Sequence, residues 1–243
     1  MKNASSSFEM AFAKYCGPHD IITPIAVNKT MNKRKRVGYN KGQNYTAPYE
    51  YELKYRKIML MEPPKFREHS SAKKIQQLIP EQVWNSYLKV AIIRCPYDML
   101  ISHYYWLKRL PSVKAEDFEN YALERGIKWL IRNYKKLQID GELATNFMIR
   151  YENLNEDIKK LEIKIGCDGV LESFTNIYAK SDFRPKTEST SAHKIYFEHP
   201  EMKIKLDKAL RENFRQDTLQ KYFSAYKSEL EEALKDRTTE LSQ

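Results

Sequence analysis

The feature that most constrains this chain is an order of elements that occurs twice. Residues Tyr87 to Ile93 are apolar and largely β-branched or aliphatic except for Lys89, the composition of a strand buried on both faces of a parallel sheet. Pro96 follows three residues later, suited to the first turn of a helix running to about Arg109. The order returns at Asn146 to Tyr151, a second strand pattern, with a helix from about Asn155 that closes at Gly166. Parallel neighbours need a crossover connection, so recurring strand-then-helix units predict an α/β domain with helices flanking a parallel sheet.

The rest of the chain is arranged around these units. Ser6 and Glu9 have capping-box spacing and Gly17-Pro18 is a stop signal, which predicts a short helix beginning near Ser6. Ile21 to Ile25 reads as a short strand. Residues Asn28 to Asn44, with Lys33-Arg34-Lys35-Arg36, keep no period and read as a mobile basic surface loop. A long helix is predicted over Lys114 to Leu137, with Phe118, Tyr121, Ala122, Leu123, Trp129, Leu130 and Tyr134 facing the core. Residues 180–194 are polar and break regular structure, and an amphipathic helical tail is expected from Pro200 to about Lys235. With 243 residues and 42% hydrophobic side chains, one domain spanning 1–243 is expected.

No stretch reaches the roughly 20 apolar residues that cross a bilayer, and a polar run follows Met1, so a soluble, cytoplasmic protein without anchor or signal peptide is expected. Cys16, Cys95 and Cys167 are odd in number and far apart, which fits free thiols in a reducing compartment and no metal site. The net charge of +10 predicts attraction to polyanions such as phosphorylated cofactors, acidic glycans or nucleic acid. The basic residues are scattered rather than striped, so nucleic acid is not the expected partner.

Two segments carry candidate chemistry. Lys2-Asn3-Ala4-Ser5-Ser6-Ser7 places small and hydroxylated residues just before a helix, where free backbone N–H groups favour a bound phosphate. The same serines also suit a plain N-cap. Arg94 stands at the carboxyl end of the first strand, where open α/β sheets place their ligand crevice, and Ser102 lies two helical turns further on. The alternative is an Arg94 paired with Asp98 and a Ser102 facing solvent.

These residues together resemble the sulfotransferase family, in its carbohydrate-type branch and its bacterial or viral members. Arg94-Cys95-Pro96-Tyr97-Asp98 after an apolar strand, with Ser102 eight positions after the arginine and then Tyr104-Tyr105-Trp106, resembles the family's 3′-phosphate-binding segment. Lys2, Ala4, Ser5, Ser6, Ser7, Phe8 and Glu9 resemble its 5′-phosphosulfate loop, Cys16 to Ile25 the segment that follows, and Ile149-Arg150-Tyr151-Glu152-Asn153-Leu154 its Arg-Tyr-Glu-Asp/Asn-Leu element. Phe66-Arg67-Glu68-His69 matches the family's Phe/Tyr-x-x-His segment.

The resemblance implies a P-loop-NTPase-like parallel sheet with a helical C-terminal part. The implied donor is 3′-phosphoadenosine 5′-phosphosulfate (PAPS), with 3′-phosphoadenosine 5′-phosphate (PAP) as product and no metal. Lys2 and Ser5 to Ser7 would hold the 5′-phosphosulfate, Arg94 and Ser102 the 3′-phosphate, and His69, aided by Glu68, would take the acceptor proton. Lys180, Arg184 and Lys186 would form a basic loop over the nucleotide, and a glycan hydroxyl is the implied acceptor. The sequence departs from the pattern at Cys95, where the family has Asn, and in a loop without glycine. The strand expected before Lys2 is also absent, which implies an upstream start or a shortened copy. A P-loop kinase is disfavoured because GxxxxGK[ST] does not occur. The remaining alternatives are a relative that binds the donor without transfer and a basic nucleic-acid-binding protein.

Overall fold

The computed structural model describes residues 5–23, 43–45, 66, 69–109, 117–175, 177, 195–196 and 198–223. Its central pairing joins the two predicted strands. β1 (Val90–Ile93) and β4 (Phe147–Arg150) run parallel, in the register Val90 with Phe147 through Ile93 with Arg150. Alternate side chains of a strand point to opposite faces, and both faces are covered. Ile92 and Ile149 pack with Ala11 of α1 (Ser5–Ala13), Ile158 and Leu161 of α7 (Leu154–Ile165) and Val170 of α8 (Val170–Thr175). Ile93 enters a second apolar cluster with Leu100, Leu130, Tyr134, Met202 and Leu206. Those residues come from α4 (Pro96–Leu107), α6 (Ile127–Lys135) and α9 (Pro200–Asn213). The fold class is therefore mixed α/β, a small parallel sheet between helices, as the repeated order requires.

Local signals account for the element ends. Pro96 opens α4, Glu156 and Asp157 lie in the first turn of α7 where the helix dipole favours anions, and Gly166 ends α7 in the left-handed conformation at φ 63°. α2 (Ala72–Leu78) is capped by Ser71, whose hydroxyl accepts from the Lys74 N–H at 3.3 Å, and α3 (Glu81–Ser86) leads toward β1.

The structure refines the remaining expectations. The predicted long helix is α5 (Phe118–Tyr121), a π-helical turn (Ala122–Gly126) and then α6. At Gly126 an added Cβ would lie 2.7 Å from Leu100 and 2.8 Å from the Tyr121 ring, so α4 approaches this turn closer than any side chain permits. The expected helical tail is divided into two helices within the described residues: Phe214 is extended (φ −136°, ψ 145°) and buried with its ring centre 6.2 Å from that of Tyr134, and α10 (Gln216–Phe223) starts anew. Of the expected Ile21 to Ile25 strand, the described part holds one antiparallel bridge, Ile22 with Gln43, and residues 24–25 lie outside the described residues. An unpredicted hairpin, β2 (Gln138–Ile139) with β3 (Glu142–Leu143), turns at Asp140 (φ 50°) and Gly141 (φ 86°), the conformation that two-residue hairpin loops favour. It holds the start of α2, since Lys136 accepts from the Ala72 N–H at 2.8 Å and Lys73 pairs with Asp140 at 2.8 Å.

Candidate functional site

The parallel register decides what meets at the sheet's carboxyl edge. Ile93 lies opposite Arg150, so the next residue on each chain, Arg94 and Tyr151, emerge side by side. The Arg94 guanidinium sits 4.0 Å from the centre of the Tyr151 ring, a cation–π contact on one of its faces. One turn into α4, Asp98 accepts from Arg94 Nε at 2.6 Å and pairs with Nη2. One turn further, the Ser102 hydroxyl accepts from Nη1 at 3.1 Å. The spacing of four and eight residues puts both groups on the helix face that looks back at the strand end.

The turn itself is fixed from two sides. The Cys95 N–H, one of the donors a helix start leaves open, is accepted by Glu152 Oε1 at 3.0 Å, and the Tyr134 hydroxyl of α6 donates to the Arg94 carbonyl. Only 10% of the Arg94 side chain is exposed, against 23% for Asp98. A guanidinium so enclosed, stacked on a ring and forked by a carboxylate has little rotamer freedom left to lose on binding a ligand. Nη1 and the Ser102 hydroxyl then form a donor pair for a planar or tetrahedral oxyanion.

The second arginine of the region is differently placed. Arg150 is held by Asp157, which accepts from its backbone N–H at 2.9 Å, from Nε at 2.7 Å and from Nη2 at 2.7 Å. Burial pushes the Asp157 carboxyl up, but the hydrogen bonds from Arg150 outweigh it and hold the group below the ordinary carboxylate value. The same bonds raise the Arg150 guanidinium. This pair locks the end of β4 to α7, and through it the position of Tyr151 and Glu152. On the other side of α4, the Tyr97 hydroxyl donates to Asp207 of α9. Burial, followed by the Asp207 charge, keeps that phenol protonated far above the usual tyrosine range.

Of the residues singled out from sequence, Arg94 and Ser102 come together. Arg94 pairs with Asp98, as one sequence alternative expected, but Ser102 does not face solvent as that alternative had it: it is half-buried and accepts from Arg94. Ser5, Ser6 and Ser7 open α1, with Ser7 buried, and α1 reaches the sheet through Ala11. His69 is exposed in a turn with left-handed backbone (φ 62°), two residues before the cap of α2. Lys2, Ala4, Glu68, Lys180, Arg184 and Lys186 lie outside the described residues. Sequence reasoning did not assign Tyr151, Glu152 or Tyr134 to the site. The signal for the first two is positional, because residues that follow adjacent parallel strands share an edge.

Compared with family models, curated proteins and solved structures, the chain matches none. Among the described residues, no helix is long and apolar enough to cross a membrane.

Proposed function

We propose that this chain binds PAPS and transfers its sulfuryl group to a hydroxyl, most directly that of a glycan, on a P-loop-NTPase-like sheet. The observation that carries the reading is the Arg94–Ser102 pair, 3.1 Å apart at the carboxyl end of a parallel strand and set by Asp98 and Tyr151. That edge is where open α/β sheets bind ligands, and the pair suits the dianionic 3′-phosphate.

In the proposed reaction the acceptor oxygen attacks sulfur and the bond from sulfur to the 5′-phosphate oxygen breaks. Its electron pair stays on that oxygen, giving PAP, while the acceptor proton passes to His69. Such transfers depend on in-line placement and on neutralising the leaving oxygen, tasks that fall to Lys2 and the Ser5 to Ser7 segment. Glu68 orients or shares the base, and Arg184 and Lys186 add charge over the nucleotide. A histidine suits the proton transfer because imidazole titrates near neutral pH.

Calorimetric titration of PAP into the chain and into Arg94→Ala and Ser102→Ala tests the reading. Saturable binding is expected, weakened at least tenfold, about 1.4 kcal/mol, by Arg94→Ala and less by Ser102→Ala. A folded wild-type chain that takes up no PAP refutes it. Binding without transfer to any hydroxyl acceptor, unchanged by His69→Ala, identifies a donor-binding protein without catalysis.

A further inference from the structure

An open groove of about 680 Å³ runs between α6 and α9, lined by none of the residues assigned above. Its floor is aliphatic: Ile127 and Ile131, one turn apart on α6, face Ala209 of α9, and both isoleucines are only 9% exposed. Its rim is cationic. Lys128, Arg132 and Lys135 follow each other along α6 at intervals of four and three residues, and Lys205 stands on the opposing wall.

Little of this rim's charge is paired with acids among the described residues. Lys135 crosses the groove to Asn213, a neutral partner, at 2.8 Å, and closes that end. Among the described residues, Lys128, Arg132 and Lys205 form no ion pair, whereas two of the three acids of α9 are engaged elsewhere, Asp207 with Lys203 and Tyr97 and Glu212 with Lys208.

The combination of floor and rim selects the occupant. A linear polyanion would satisfy the rim but leave the isoleucine floor wet. A flat anionic bilayer would meet the lysine and arginine ends and not reach side chains recessed below them. An occupant that uses both must project apolar side chains from one face and carry carboxylates on its flanks. From Ile127 to Lys135 the wall is about 12 Å long at 1.5 Å per residue, the length of two to three helical turns. We infer that this groove is a docking site for an acidic amphipathic helix of a partner protein, with aliphatic residues at i, i+3/i+4 and i+7 against Ile127 and Ile131 and Glu or Asp beside Lys128, Arg132 and Lys205. This site does not depend on the sulfuryl-transfer reading.

The test is fluorescence anisotropy with a labelled 14-residue peptide having Leu at those positions and Glu on both flanks, titrated with the full chain. A second peptide of the same composition, with its Leu residues spread around the helix, reports on the floor alone. Saturable binding of the amphipathic peptide is expected, at least tenfold tighter than the scrambled one. Lys128→Glu with Arg132→Glu, both at exposed positions, should weaken it tenfold or more, and Ile131→Ser should erase the difference between the peptides. Equal binding of both peptides, or binding of a sulfated glycan or of phosphatidylserine vesicles that exceeds the amphipathic peptide and is insensitive to Ile131→Ser, overturns the inference in favour of a plain cationic surface. Unchanged peptide affinity in the charge-reversed variant overturns it as well. Circular dichroism of each variant checks that the fold is retained.

Discussion

Asp157→Ala separates the architecture of the site from its chemistry. The Asp157 side chain is 4% exposed and accepts three hydrogen bonds at 2.7–2.9 Å, all from Arg150. Removing it strands the backbone N–H at the end of β4 and a guanidinium that is 24% exposed. Breaking a buried pair on one side costs about 3–5 kcal/mol, and the partial access of water to Arg150 places this case near the lower end, about 3 kcal/mol. For a domain of this size that lowers Tm by about 6–12 °C. The assay is urea unfolding followed by circular dichroism, with a thermal melt alongside. Replacing both partners, Arg150→Met with Asp157→Leu, should restore part of the loss, since no charge is left uncompensated. The pH dependence has a defined sign. A carboxyl held below its ordinary value near 3.8 stabilises the fold above that pH and loses the contribution as pH falls through its folded value. Wild type should therefore exceed Asp157→Asn in stability at pH 7, and the gap should close below pH 4. A melt within 2 °C of wild type for Asp157→Ala, or a gap independent of pH, refutes the reasoning.

Three further outcomes follow from particular contacts. Gly126→Ala should destabilise by about 1–2 kcal/mol despite the better helix propensity of alanine, because Leu100 and Tyr121, both almost wholly buried, cannot yield to the new methyl; chemical denaturation measures it. Glu152→Ala should cost about 1–3 kcal/mol by leaving the Cys95 N–H without its acceptor, while Glu152→Gln should retain most of the stability, and PAP affinity should fall in parallel with the first variant only. Ser71→Ala should cost about 0.5 kcal/mol, since its cap bond is long and α2 is exposed, with faster amide exchange confined to α2.

Much of the fold was legible because its signals are local. Val90 to Ile93 and Phe147 to Arg150 are short apolar runs closed by turn residues, and Pro96, Ser71 and Gly166 act through their own backbone preferences wherever they stand. Asp140-Gly141, just beyond the predicted helix, carried an equally local hairpin signal that was passed over. The position at which the terminal helices divide, Phe214, was not legible, because the sequence around it stays amphipathic and its ring is buried against Tyr134, far away in sequence. The close fit of Gly126, in the π-helical turn, against Leu100 on another helix was likewise not legible.

The site divides along the same line. Arg94, Asp98 and Ser102 lie within nine residues, and a helical period of 3.6 residues is enough to align them. Tyr151 and Glu152 join them only because β1 and β4 pair in a parallel register that sets Ile93 opposite Arg150. Tyr134 joins because α6 packs over the strand end. Sequence thus determined which side chains share one helix face. The tertiary fold decided which ring and which carboxylate they meet, since pairing and packing bring together residues about 40 to 60 positions apart that no local period connects.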